Sequence, residues 1–193
     1  DRSQQLLSEY MQFGGYPRIV MATEQHEKLL LIDEIFRSVL EKDIAYLLKL
    51  DKPEVFSALI KVLAGQVGQL MNYTELASTL NVSFATVKNY LWYAQKIFFV
   101  ELISPYARNI RKEISKSPVS YFWDLGLRNY SLGLFGHLES PFEKGFVFEN
   151  FVFFLVFLFT LHFILYIKHR NVGVVFQSFA VSLFYCFSIS SAC

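Results

Sequence analysis

Cysteine is scarce in this 193-residue sequence: Cys186 and Cys193 are the only two, both at the very end. Placed there they offer no disulfide framework, and with no histidine cluster beside them no zinc site. His26, His137, His162 and His169 are scattered, with no i,i+4 pair and no cysteine companion, which argues against a metal centre. There is no Gly-x-Ser-x-Gly elbow, so serine-hydrolase chemistry has no support. Nor is there a G-x-x-x-x-G-K-[ST] run, the loop that cradles phosphates and presents a hydroxyl to Mg²⁺. Net charge is nearly absent as well. A formal +1 exerts no global pull on nucleic acid, so such a partner must be met by a local patch. The chain starts at Asp1 rather than Met, without a charged-then-apolar signal segment, so we expect its natural N-terminus to lie upstream.

What is present is apolar. Hydrophobic residues make up 53% and aromatics 18%, which excludes disorder for most of the chain, and the length allows one ordinary domain or two small ones. The averages conceal a break. Residues 1–150 carry 16 Lys and Arg against 17 Asp and Glu, a soluble balance. Residues 151–193 carry Lys168 and Arg170, no acid, and 10 of the 21 Phe.

Along the chain, residues 3–12 read as the end of a helix broken by Gly14-Gly15-Tyr16-Pro17. Apolar residues at helical spacing from Glu27 to Leu50 predict a long amphipathic helix. Asp51, Pro53 and Glu54 start another that runs to about Gly65. Asn72-Tyr73-Thr74-Glu75 has a capping residue with Glu three positions later, the start of a short helix. Ser83 caps a second, running to about Ile97. A short helix, a tight turn and a longer helix form the helix-turn-helix pattern. Phe98–Ile103 and Val119–Trp123 read as the strands of a following hairpin, which makes the unit a winged helix. Gly145 opens a segment over Phe146–Phe154.

The order of these motifs resembles a known family. Gly14-Gly15-Tyr16-Pro17, Lys42-Asp43-Ile44, Asn72 to Ala77, Ser83 to Leu91, Ser104-Pro105-Tyr106, Asn109 to Glu113, Tyr121 to Asn129 and Phe148-Glu149-Asn150-Phe151 follow one another. Together, over about residues 4–154, they are similar to the C-terminal half of a large prokaryotic family of AAA-type ATPases. In that family a P-loop domain precedes a winged helix and then a domain of unknown function similar to the restriction-endonuclease fold. The resemblance implies an upstream ATPase domain with ATP and Mg²⁺ as its cofactors, and none in this chain. No P-loop occurs in this chain, and the acidic strand that usually follows the Glu-Asn motif is missing after Asn150, so neither ATP hydrolysis nor metal-dependent cleavage simply carries over.

For the helix-turn-helix, the functional reading puts Ser83, Thr86, Lys88 and Asn89 at a major groove, with Arg108, Arg111, Lys112 and Lys116 of the wing on phosphates. The competing reading is a packing or protein-interaction module, for which exposed Phe84 and Trp92 are better suited. Asp124 reads either as the cap of the turn at Gly126 or as a remnant acid of a nuclease-like site, with Glu149 as the second. Cleavage needs a further carboxylate and usually a Lys, and no acid follows Glu149.

Phe151–Ile167 is an apolar run broken only by Thr160 and His162, roughly 25 Å as a helix and slightly short of a bilayer core. The basic Lys168-His169-Arg170 after it would put residues 1–150 outside the cell. That contradiction, and the loss of every acid, lead us to expect a shifted reading frame after about residue 154, with a membrane hairpin as the competitor.

The expected fold class is mostly α: a winged helix-turn-helix with flanking helices, then an incomplete α/β nuclease-like domain. The boundaries are 1–52 (end of an ATPase domain), 53–125 (winged helix), 126–154 (start of the nuclease-like domain) and 155–193 (hydrophobic tail). The expected function is non-catalytic and cytoplasmic: a fragment of an ATP-binding protein whose winged helix binds DNA or a protein partner. A membrane-anchored interaction protein and a metal-dependent nuclease are the rivals.

Overall fold

The computed structural model describes residues 2–40, 53–104 and 117–169. Among these the chain is mostly helical, with one two-stranded sheet. The helices are α1 (Arg2–Phe13), α2 (Pro17–Met21), α3 (Gln25–Ser38), α4 (Pro53–Gly65), α5 (Tyr73–Thr79), α6 (Phe84–Lys96), α7 (Leu125–Ser131) and α8 (Pro141–His169). The strands β1 (Val100–Ile103) and β2 (Val119–Phe122) lie between α6 and α7 and pair antiparallel, Val100 opposite Phe122 and Ile103 opposite Val119.

Local chemistry sets these limits. Asn72 accepts the amides of Thr74 and Glu75 and so starts α5. Asn81 takes a left-handed backbone (φ 52°), and the amide of Val82 bonds back to Ala77, closing the turn before α6. Ser83 caps α6 through the amide of Thr86. That helix ends the same way: Phe98 has φ 55°, with the amide of Phe99 on the carbonyl of Ala94. Phe98 is therefore spent on the turn, and β1 starts at Val100 rather than at the expected Phe98. At the other end of the hairpin β2 stops at Phe122, where the amide of Trp123 turns to Phe99.

The core is assembled from α4, α6 and the hairpin. Phe56, Leu59, Ile60 and Leu63 of α4 are fully enclosed, as are Val87 and Ala94 of α6, Val100 of β1 and Phe122 of β2. The ring of Phe99 meets the edges of Phe56 and Phe36, tying α3 and α4 to the strand. A Lys at position 28 is also buried: its ammonium pairs with Glu9 and lies 4.6 Å over the ring of Phe13, which fastens α3 to α1.

The described residues up to Phe151 form one compact unit, and those from Val152 to His169 belong to a second. Gly145 does not open a separate segment over Phe146–Phe154 as the sequence led us to expect. It lies inside α8, because Pro141 at the first helical position and Glu143 in the first turn are already start signals. In the second unit Phe153 stacks on Phe157, and the Thr160 hydroxyl donates to the carbonyl of Val156. Leu155, Leu158, Phe159 and Leu165 are exposed there. The stretch Pro141–Tyr166 is long and apolar enough to cross a membrane.

Candidate functional site

The outward face of α6 carries an alternation of rings and cations. Phe84, Lys88, Trp92 and Lys96 are spaced four residues apart, which places them on one ridge of the helix. All four are exposed, Trp92 by 52% of its surface. The Lys88 ammonium stands 4.9 Å over the ring of Phe84, and that of Lys96 5.3 Å over Trp92. Tyr73 at the start of α5 meets Phe84 edge-on at 5.7 Å and also lies under Lys88. Helix α6 contains no acid, so Lys88 and Lys96 are its only charges.

Of the four groove candidates, Lys88 and Asn89 are exposed side by side. Ser83 and Thr86 are committed to the helix start: the Ser83 hydroxyl accepts the amide of Thr86 and lies 2.8 Å from its hydroxyl. Arg108, Arg111, Lys112 and Lys116 of the expected wing lie outside the described residues, as does the Lys42-Asp43-Ile44 motif.

The two acids considered as nuclease remnants have separate sets of partners. One oxygen of Asp124 accepts the amide of Leu127 at 3.0 Å and so caps α7, while the other accepts the amide of Gly15 at 2.8 Å. Burial pushes this carboxyl above its ordinary value, and the amides of Gly15, Leu127 and Gly126 pull it back. Its charge in turn adds to burial in raising the hydroxyl of Tyr16 to about 12. Glu149 on α8 accepts the hydroxyl of Tyr121 at 3.0 Å and lies against Gly68, where φ is +73° and a Cβ would collide with the carboxylate. Burial first, then the Glu149 charge, raise the Tyr121 hydroxyl. Among the described residues no three of His, Cys, Asp and Glu come together as a metal site.

The most densely connected segment is Asp124 to Asn129. Gly126 lies so close to the carbonyl of Phe13 that a Cβ there would collide with it. Arg128 is wholly buried; it donates to the Ala64 carbonyl at 2.9 Å, to the Asn129 side chain at 3.2 Å and to Glu143 at 2.6 Å. Asn129 donates to two carbonyls in the last turn of α1, those of Met11 and Gln12. Asn150 accepts the amide of Phe122 at 2.7 Å and donates to its carbonyl at 2.8 Å. The Gly14-Gly15, Asp124–Asn129 and Glu149-Asn150 motifs thus fasten α1, α4, β2, α7 and α8 to one another. Sequence reasoning had isolated each motif but not these pairings, and it named Phe84, Lys88 and Trp92 of the α6 ridge without seeing their common spacing of four.

Comparison with known proteins adds the family. The model of a family described as a domain of unknown function (DUF8612) matches residues 4–138. An uncharacterized protein of Haemophilus influenzae is 33% identical over 135 residues, which is 66% of this chain and 33% of that protein. Uncharacterized proteins of Mycobacterium bovis and Mycobacterium tuberculosis are each 30% identical over 141 residues, 72% of this chain and 32% of theirs. The chain therefore spans about a third of the length of these curated relatives. No solved structure matches it significantly.

Proposed function

The chain belongs to the family defined by the domain of unknown function DUF8612, and from that premise we propose that it is a non-catalytic, DNA-binding module of winged-helix architecture within a longer ATP-binding protein. The observation that carries this reading is the face of α6: Lys88 and Asn89 are exposed on a helix free of acids, behind a start fixed by Ser83. The order α4, α5, tight turn, α6, β1, β2 supports the architecture. The length of the relatives supports a larger parent protein, to which the ATPase activity would belong.

In this reading Lys88 neutralises a phosphate while Asn89 bonds to base edges or sugar-phosphate groups. Arg108, Arg111, Lys112 and Lys116 add four cations within nine residues of sequence. Asp124 and Glu149 are fastenings rather than catalytic acids, since each is bonded to groups that hold the fold.

The test is fluorescence anisotropy of a labelled mixed-sequence duplex titrated with the full chain across a salt series. Affinity should fall steeply with salt, and Lys88→Ala should lower the log–log slope by about one unit, the loss of one phosphate contact. No binding at low salt rejects the reading. A second reading, a membrane-anchored interaction protein, is favoured by the length and apolarity of Pro141–Tyr166. It requires that the chain float with liposomes and be released only by detergent.

A further inference from the structure

Contact with duplex DNA leaves the exposed ring faces of α6, those of Phe84 and Trp92, without a stacking partner. Bases in a duplex are stacked on one another and present only their edges in the grooves, so an exposed ring finds no base face there. A helix that docks a protein groove carries apolar residues at i, i+3, i+4 and i+7, which together form a continuous stripe. On α6 a lysine separates the two aromatics at the equal spacing of four: Phe84, Lys88, Trp92, Lys96. Each step is about 6 Å along the helix. The face is cationic and acid-free, which calls for a polyanion, and its two exposed rings call for flat partners.

From this alternation we infer that α6 binds single-stranded nucleic acid, with unpaired bases stacking on Phe84 and Trp92 and Lys88 and Lys96 taking the phosphates between them. The inference rests on the proposed nucleic-acid role of this helix and names the form of the ligand. In the free protein each ammonium covers a ring face, Lys88 at 4.9 Å over Phe84 and Lys96 at 5.3 Å over Trp92. When a strand arrives, each lysine moves from its ring to a phosphate, and the base takes the ring face. Positive groups tracking the backbone with aromatics beneath the bases are how single strands are held without sequence preference. Tyr73, whose ring meets Phe84 edge-on at 5.7 Å, keeps the first ring in place.

The experiment compares a mixed-sequence single strand with the same sequence as duplex, using the full chain and its Phe84→Ala, Trp92→Ala and Trp92→Phe variants. Each alanine variant should lose about 5- to 150-fold in affinity for the single strand, the equivalent of one base stack. Both should change duplex binding less than about twofold, and Trp92→Phe should retain most of the single-strand affinity. Binding of the strand should also quench tryptophan emission, and that quenching should vanish in Trp92→Phe while Trp123 still emits. If duplex and single strand bind alike and Trp92→Ala changes neither, the inference falls and the duplex reading stands. If neither oligonucleotide binds at low salt, both fall, as they would for a face that docks a protein.

Discussion

Asp124 accepts the amide of Gly15 at 2.8 Å across 109 positions of sequence, and the same carboxylate caps α7 through Leu127. One side chain thus sets where α1 stops and where α7 starts. Replacing Asp124 by Ala removes both acceptors. We expect a loss of about 2–3 kcal/mol, combining a lost cap with a stranded amide. Asp124→Asn keeps one acceptor oxygen but turns its NH2 group toward the other amide, so it should recover only part of that loss. Urea denaturation of the two variants checks the order.

Acid should act on this residue in an unusual direction. The carboxyl is raised by burial, so its charged form is held less well in the folded state than in the unfolded chain. Protonation relieves that cost. The residue's contribution to stability is full below the unfolded pKa of about 3.9 and is lost as pH rises through the higher folded value. Relative to Asp124→Asn, the parent chain should gain stability on acidification across that window. A difference that stays flat with pH, or shrinks on acidification, would falsify this and show that the three amides outweigh burial.

Arg128 is wholly buried and Glu143 mostly so. Removing one member leaves the other charge without its partner, so Arg128→Met should cost about 3–5 kcal/mol. Glu143→Gln should cost less, since the amide oxygen still accepts. In the double variant Arg128→Met/Glu143→Gln the loss should be smaller than the sum of the two single losses, because no unpaired charge remains. Additive losses in a thermal-denaturation cycle would show that the pair is not coupled.

Asn150 serves both polar groups of the Phe122 backbone. Asn150→Ala strands a buried amide and a buried carbonyl, for an expected loss of about 2–4 kcal/mol. Asn150→Asp keeps the acceptor and loses the donor, so the Phe122 amide should stay protected from hydrogen exchange while global stability still falls. Protection of that amide equal in the Ala and Asp variants would contradict the pairing.

The elements most readable in the sequence were those begun by a local signal. Asn72 and Ser83 each announce a helix start by residue type alone, and each caps the expected helix; Asp124, read either as a turn cap or as a remnant acid, caps α7. Ends were less legible. Phe98 looks like the first residue of a strand because large aromatics favour strands, yet its positive φ serves the end of α6. Gly145 looks like a boundary, but a single glycine is tolerated within a helix whose start lies at Pro141. The ties between motifs were invisible for another reason. Asp124 to Gly15, Asn129 to Met11 and Asn150 to Phe122 join residues far apart in the chain, and no local pattern encodes which partner a side chain finds. For the α6 ridge the spacing was present to be read, and Phe84 and Trp92 were placed on the exposed face; what no local pattern encodes is that each ring lies under the lysine four residues on.

A β-strand at the rim of a sheet offers its unpaired amides and carbonyls to any other chain that can extend alongside, a route to aggregation that proteins must close. Strand β2 has β1 along one side. On its other side Gly68 donates to Ser120, Met71 donates to the carbonyl of Pro118, and the Asn150 amide occupies both groups of Phe122. Asn150 thus does with a side chain what a third strand would do with its backbone. Sealing that rim denies a foreign strand its template along β2, and a residue that belongs to a helix completes the seal.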